Sequence, residues 1–203
     1  MTDRRRAPLT ALSTLARRPV RGEFRAPVGA PATPSTPPGR SRMVDNAVYS
    51  AGRRVATPET AVESRRELAE GEERLAWLGL YRPEAHELGE LAELYDLPEL
   101  AVEDAIKAHQ RPKFERYGNT LFVVLKAARY RDEAEEVEFG ELHLFLGRDF
   151  VITVRHSESP EDLARVRRRL ESEPALLAKG SEAVLYATLD AVVDGYGPVV
   201  AGL

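Results

Sequence analysis

From Leu97 to Tyr130 the chain changes its period, and that change restricts the fold more than any other stretch. Behind Pro98, Leu100, Ala101 and Ala105 recur as one helix face, with Glu103-Asp104 on the same segment. The pattern stops at Pro112 in His109-Gln110-Arg111-Pro112-Lys113, because an interior proline removes a helix hydrogen bond and clashes with the preceding turn. Gly118-Asn119 then marks a turn. Thr120–Tyr130 reads as a strand, with Leu121–Leu125 strongly apolar.

The same alternation runs along the rest of the foldable chain. Ala47–Val55 reads as a strand broken at Gly52, Thr60–Glu70 as a short polar helix, and Leu75–Leu80 as a buried strand. Pro83 is expected in the first turn of a helix whose apolar face is Leu88, Leu91, Ala92 and Tyr95. Val137–Leu146 and Phe150–His156 form a hairpin across Gly147-Arg148-Asp149. Pro160 opens an Arg- and Leu-rich helix. Ser181 caps a last helix with Leu185, Leu189, Val192, Val193 and Tyr196 as its apolar face. Interleaved strands and helices predict an α/β fold, a mixed sheet covered by helices.

Charge divides the chain in two. Residues 1–42 hold nine Arg against two acids, and seven of the 14 prolines. With few large apolar groups they are expected to form a disordered tail, and Met43 is a candidate true start. The chain's net −4 less that tail's +7 leaves −11 on residues 43–203. A body that acidic repels nucleic acid and attracts cations. The absence of cysteine excludes disulfides and thiolate chemistry. No stretch approaches the ~20 apolar residues of a membrane helix, so this chain alone is expected to be soluble and unable to conduct ions. No phosphate loop, Gly-x-Ser-x-Gly elbow or His-Glu-x-x-His motif is present, so no enzyme activity is expected.

Several side chains could bind metal, and each has a plainer role to set beside it. Glu103 and Asp104 read most simply as solvated helix acids. Neighbouring helix positions point about 100° apart, so the two suit adjacent half sites better than one clamp. Asp190 and Asp194 share a helix face at i, i+4, which is also the pattern of an ordinary polar face. His109 follows the acidic pair, but one imidazole and two carboxylates do not define a zinc site. His86, His143 and His156 show no ligand spacing with each other. Arg165, Arg167, Arg168 and Arg169 lie among Glu161, Asp162, Glu171 and Glu173, and read as a solvated, ion-paired face.

Trp77-Leu78-Gly79-Leu80 leading to Arg82-Pro83, then Glu103-Asp104, then His-Gln-Arg-Pro-Lys with Glu115, Tyr117 and Gly118-Asn119, resembles the cytosolic N-terminal domain of the CorA family of divalent-cation transporters. The resemblance covers about Val44 to Leu203 and lacks the family's membrane helices and Gly-Met-Asn signature. It implies an α/β/α sandwich with residues 43–203 as a metal-sensing domain that ends before the stalk helix. It further implies Mg2+, with Co2+ also taken, bound weakly between subunits of a pentamer at the cytoplasmic face of the membrane. Glu103 and Asp104 would be ligands, Asp190 would serve a second site, and His109 would be a further candidate. Without stalk and membrane helices the isolated chain is expected to be mostly monomeric. A related zinc transporter, or an orphan soluble domain, is the alternative.

Overall fold

Seven strands form one mixed sheet because the central ones carry apolar side chains on both faces. The computed structural model describes residues 42–131, 135–156 and 163–202, and the tail expected over 1–42 falls outside these residues except for Arg42. In chain order come β1 (Met43–Ser50), β2 (Arg53–Ala56), α1 (Ala61–Ala69), β3 (Arg74–Tyr81), α2 (Ala85–Tyr95), α3 (Glu99–Lys107) and β4 (Lys113–Tyr117). Then follow β5 (Thr120–Arg131), β6 (Glu136–Leu146), β7 (Phe150–Arg155), α4 (Leu163–Ser172), α5 (Pro174–Leu177) and α6 (Ser181–Gly202). The sheet order is β2-β1-β3-β7-β6-β5-β4, and β3–β7 is the parallel pair.

Strand periodicity divides the core in two. On β3, Ala76, Leu78 and Leu80 join one buried cluster with Leu88, Leu91 and Tyr95 of α2 and Ala101 and Ala105 of α3. Leu75 and Trp77 point the other way, into a cluster with Val166 and Leu170 of α4, Leu177 of α5 and Ala183, Val184 and Ala187 of α6. Helices therefore cover both faces, the α/β/α arrangement expected. Gly52 turns the β1–β2 hairpin with φ +72°, and a Cβ there would lie 1.9 Å from the Pro174 carbonyl oxygen. Only glycine fits that conformation and that approach.

Four expectations need correction. Pro83 lies outside α2, which starts after the N-cap Glu84, whose side chain and that of Glu87 form a reciprocal cap. Leu100 is 61% exposed while Val102 is buried, so α3 turns Ala101, Val102 and Ala105 inward. β4 is a strand where none was expected, because it is held by pairing with β5 rather than by apolar alternation of its own. On α6 the buried face is the small one, Ala183, Val184, Ala187 and Thr188 with Val192, and Val193 is 66% exposed. Small side chains let the helix lie close on β5, and this outweighs the larger apolar stripe. The expected start of a helix at Pro160 lies outside the described residues.

Arg42, the last residue of the expected tail, is fixed to the body. Its backbone N–H donates to Glu87 Oε1 at 3.0 Å, and its guanidinium meets Glu84 at 3.3 Å.

Candidate functional site

The C-terminal end of α3 is where charge gathers. Burial of Ala101, Val102 and Ala105 against the sheet leaves Glu103 exposed and Asp104 partly so. The helix stops at Ala108, whose N–H still donates to the Asp104 carbonyl at 3.1 Å. Ala108 (φ 52°) and His109 (φ 58°) are both left-handed. Two consecutive non-glycine residues in this region carry strain, so surrounding contacts must hold them. Gln110 supplies one such contact, its N–H donating to Glu141 Oε1 at 3.1 Å.

The turn brings Lys113 of β4 back against the helix. Its ammonium donates to Asp104 Oδ2 at 2.5 Å and lies 2.9 Å from Glu115 Oε2. Tyr117 donates its hydroxyl proton to Glu115 at 2.8 Å, and the hydrogen bond from Lys113, then that from Tyr117, hold the Glu115 carboxyl below its usual pKa. Burial works to lower the Lys113 pKa, but Asp104 and Glu115 together raise it. Glu103 pairs separately with Lys107, one turn on. The two acids thus face apart, each with its own lysine, as adjacent helix positions require. Among the described residues no group of three or more His, Asp or Glu side chains could hold a metal ion.

The other candidates are not drawn in. Asp190 accepts a hydrogen bond from Arg169 at 2.7 Å, on the α4–α6 face of the sheet, whereas α3 packs on the opposite face. One chain therefore keeps Asp190 apart from Glu103-Asp104. Asp194 and His109 are exposed.

Behind the α3–β4 turn lies an ionisable cluster whose histidines showed no mutual spacing in sequence. Glu141 and His143 are i, i+2 on β6 and so point to the same face, both buried. His143 Nε2 meets Glu141 Oε1 at 2.6 Å, and the other carboxylate oxygen accepts from Lys126 of β5. Antiparallel β6–β7 pairing brings His156 alongside, its ring centroid 5.1 Å from that of His143. His143 Nδ1 and His156 Nε2 are buried without a hydrogen-bond partner. Burial pushes the His143 pKa down to about 4, against the pull of Glu141, and lowers that of His156 too. Burial would raise the Glu141 pKa, but Lys126, Gln110 and His143 outweigh it and hold it low. Alternation of Glu141 and His143 along a strand was the available signal.

Residues 72–203, more than half of the chain, match the family model described as CorA-like Mg2+ transporter protein. The chain belongs to this family. Among its relatives, YfjQ of Bacillus subtilis, provisionally named a metal ion transporter, is 36% identical over 61% of this chain and 37% of its own length. The cobalt/magnesium transport protein CorA of Thermotoga maritima is 30% identical over 52% of this chain and 30% of its own. The chain thus spans about a third of the length of these curated relatives. Full-length CmaX superposes with a TM-score of 0.62 at 22% identity, over 81% of this chain and 50% of that one. The soluble domain of CorA from Methanocaldococcus jannaschii does so with 0.53 at 17%, over 77% and 58%. The ZntB cytoplasmic domain from Vibrio parahaemolyticus gives 0.56 at 14%, over 80% and 62%. At these identities the structural likeness is one of fold. No helix among the described residues is long and apolar enough to cross a membrane.

Proposed function

We propose that this chain is the cytosolic regulatory domain of a CorA-like divalent-cation transporter, and that the acidic end of α3 responds to intracellular Mg2+. The observation that carries this is Asp104. It is partly exposed at a helix end, and it pairs with the ammonium of Lys113 at 2.5 Å. Mg2+ keeps most of its waters and needs only one or two carboxylates. The hydrated ion competes with Lys113 for Asp104, and carboxylates of a neighbouring copy complete the shell. Asp190, on the other side of the sheet, serves such a site only from a second chain. Assembly into a homo-oligomer, a pentamer in the full-length protein, brings these halves together at the cytoplasmic face of the membrane. Loss of the ion leaves facing acids to repel, which loosens the interface. Co2+ suits the same oxygen donors, with His109 as its added imidazole.

The zinc reading rests on the fold shared with ZntB and on His109. His109 is exposed, and among the described residues it joins no group of three or more His, Asp or Glu side chains that could hold a metal ion. Tight zinc binding abolished in His109→Ala would decide for that reading.

The isolated chain should bind Mg2+ weakly, because its half site is already occupied by a lysine. Lys113→Met frees Asp104 and should raise Mg2+ affinity severalfold in calorimetric titration, and Asp104→Asn should abolish the gain. Unchanged affinity in Lys113→Met would remove Asp104 as a ligand. In a full-length transporter carrying this domain, Asp104→Ala should demand more internal Mg2+ for closure. Asp104→Lys, placing an ammonium where the ion sits, should demand less. Flux curves that ignore both substitutions would sink the sensor assignment.

A further inference from the structure

A groove of about 620 Å3 between α1 and α2 has no place in the metal reading. Val62, Leu91 and Leu94 form its apolar lining together with Met43, Ala61 and Leu80, and Val62 is 58% exposed. Glu59, Glu87, Glu90 and Glu93 surround them, and among the described residues no basic side chain lines the groove. On α2, Glu87, Glu90, Leu91 and Leu94 follow helical spacing, so acid and apolar groups run in parallel along one helix face.

These acids differ from several other surface carboxylates of the domain. Glu67, Asp149, Glu138 and Glu171 each meet an arginine within 3.0 Å. Among the described residues Glu59, Glu90 and Glu93 have no salt-bridge partner, and Glu87 accepts only backbone N–H groups, from Arg42 and Glu84. An apolar trough left uncovered costs hydration free energy, and unneutralised carboxylates around it repel one another. One kind of partner relieves both.

We propose that the groove docks a cationic amphipathic helix of a partner protein. Its aliphatic side chains lie on Val62, Leu91 and Leu94, and its Lys or Arg residues reach Glu59, Glu90 and Glu93. Helix-in-groove recognition supplies the affinity, and charge complementarity supplies the choice of partner and the salt dependence. An acidic or neutral amphipathic helix is rejected, because it leaves the carboxylates unpaired or repelled.

The test uses the full chain and two labelled peptides with the same Leu spacing on one helix face, one with Lys and the other with Glu on its polar face. Fluorescence anisotropy should show saturable binding of the Leu/Lys peptide and none of the Leu/Glu peptide. Glu90→Lys with Glu93→Lys should weaken binding about tenfold or more, the equivalent of ~1.4 kcal/mol or above. Val62→Ser, at an exposed position that supports little core, should weaken it severalfold. Glu70→Lys with Glu72→Lys, the same charge change on exposed residues away from the groove, should leave it within about twofold. Circular dichroism melts confirm that each variant folds. Equal losses from the two charge-reversed pairs would reduce the effect to general electrostatics and overturn the proposal. So would full binding by Val62→Ser, or the absence of saturation. None of these readouts involves Mg2+, so failure here leaves the sensor reading intact, and the reverse holds.

Discussion

Arg167→Ala should cost the domain on the order of 3–5 kcal/mol, the range for removing one partner from a buried ion pair. Equilibrium urea denaturation of wild type and variant would measure it. Arg167 is only 4% exposed. Its Nε lies 2.8 Å from Asp45 Oδ2, both terminal nitrogens donate to the Trp77 carbonyl at 3.2 Å, and Nη1 also donates to the Tyr49 hydroxyl. The guanidinium stacks over the Trp77 ring at 4.1 Å. Truncation leaves a cavity beside Trp77, strips donors from the Trp77 carbonyl and leaves Asp45 the longer contact with Arg54 at 3.8 Å. Asp45 is about a third exposed and regains water, which places the loss toward the lower end of the range. Arg167→Lys keeps the charge but cannot hold the carbonyl, the carboxylate and the ring face together, so it should recover only part. A loss below about 1 kcal/mol for Arg167→Ala would mean the residue is a surface charge after all.

That surface role is what the sequence pattern suggests, and the reason for the error is physical. Arg165, Arg167, Arg168 and Arg169 look alike in sequence, and helix phase decides which of them turns to the sheet. Val166, Arg167 and Leu170 are the buried positions of α4, so Arg167 stands on the core face. Where pattern and burial coincide, the chain is legible. The apolar run Leu121–Leu125, the Leu88, Leu91 and Tyr95 face of α2 and the β6–β7 hairpin all follow from period and turn chemistry. β4 is not legible, because Lys113-Phe114-Glu115-Arg116-Tyr117 carries three charges without apolar alternation and becomes a strand only through β5.

The candidate site divides the same way. Glu103 and its partner Lys107 are one helical turn apart and can be read directly. Lys113 reaches Asp104 only because Ala108 and His109 adopt left-handed backbone, which no residue type at those positions announces. His143 and His156 meet through the β6–β7 register, a fact of tertiary pairing that spacing along the chain conceals.

That buried pair sets how the domain responds to acid. In the unfolded chain a histidine titrates near its ordinary value of 6.5, whereas in the fold burial pushes His143 down to about 4. Below 6.5 the unfolded state therefore takes up a proton that the folded state refuses. Stability is fully present above pH 6.5 and is lost as pH falls toward 4. The difference from 6.5 to about 4 amounts to roughly 3 kcal/mol, an order-of-magnitude figure at 1.36 kcal/mol per pH unit. His156, also lowered by burial, adds in the same direction. Glu141, held low by Lys126, Gln110 and His143, contributes stability that disappears only as pH falls below the ordinary carboxylate range. Urea denaturation midpoints measured from pH 7.5 to 4 should fall steeply below 6.5. His143→Phe keeps an aromatic ring beside Phe122 and leaves Glu141 its bonds to Lys126 and Gln110. It should flatten most of that fall, whatever it does to stability at neutral pH. A wild-type profile level between pH 6.5 and 4.5, or an equally steep one in His143→Phe, would show that the buried imidazole does not govern the acid response. Because Gln110 anchors the α3–β4 turn on Glu141, the first segment released on acidification should be the one that presents Asp104, Lys113 and His109. Amide hydrogen exchange over residues 105–113 should therefore rise at a higher pH than exchange in β3 or β7.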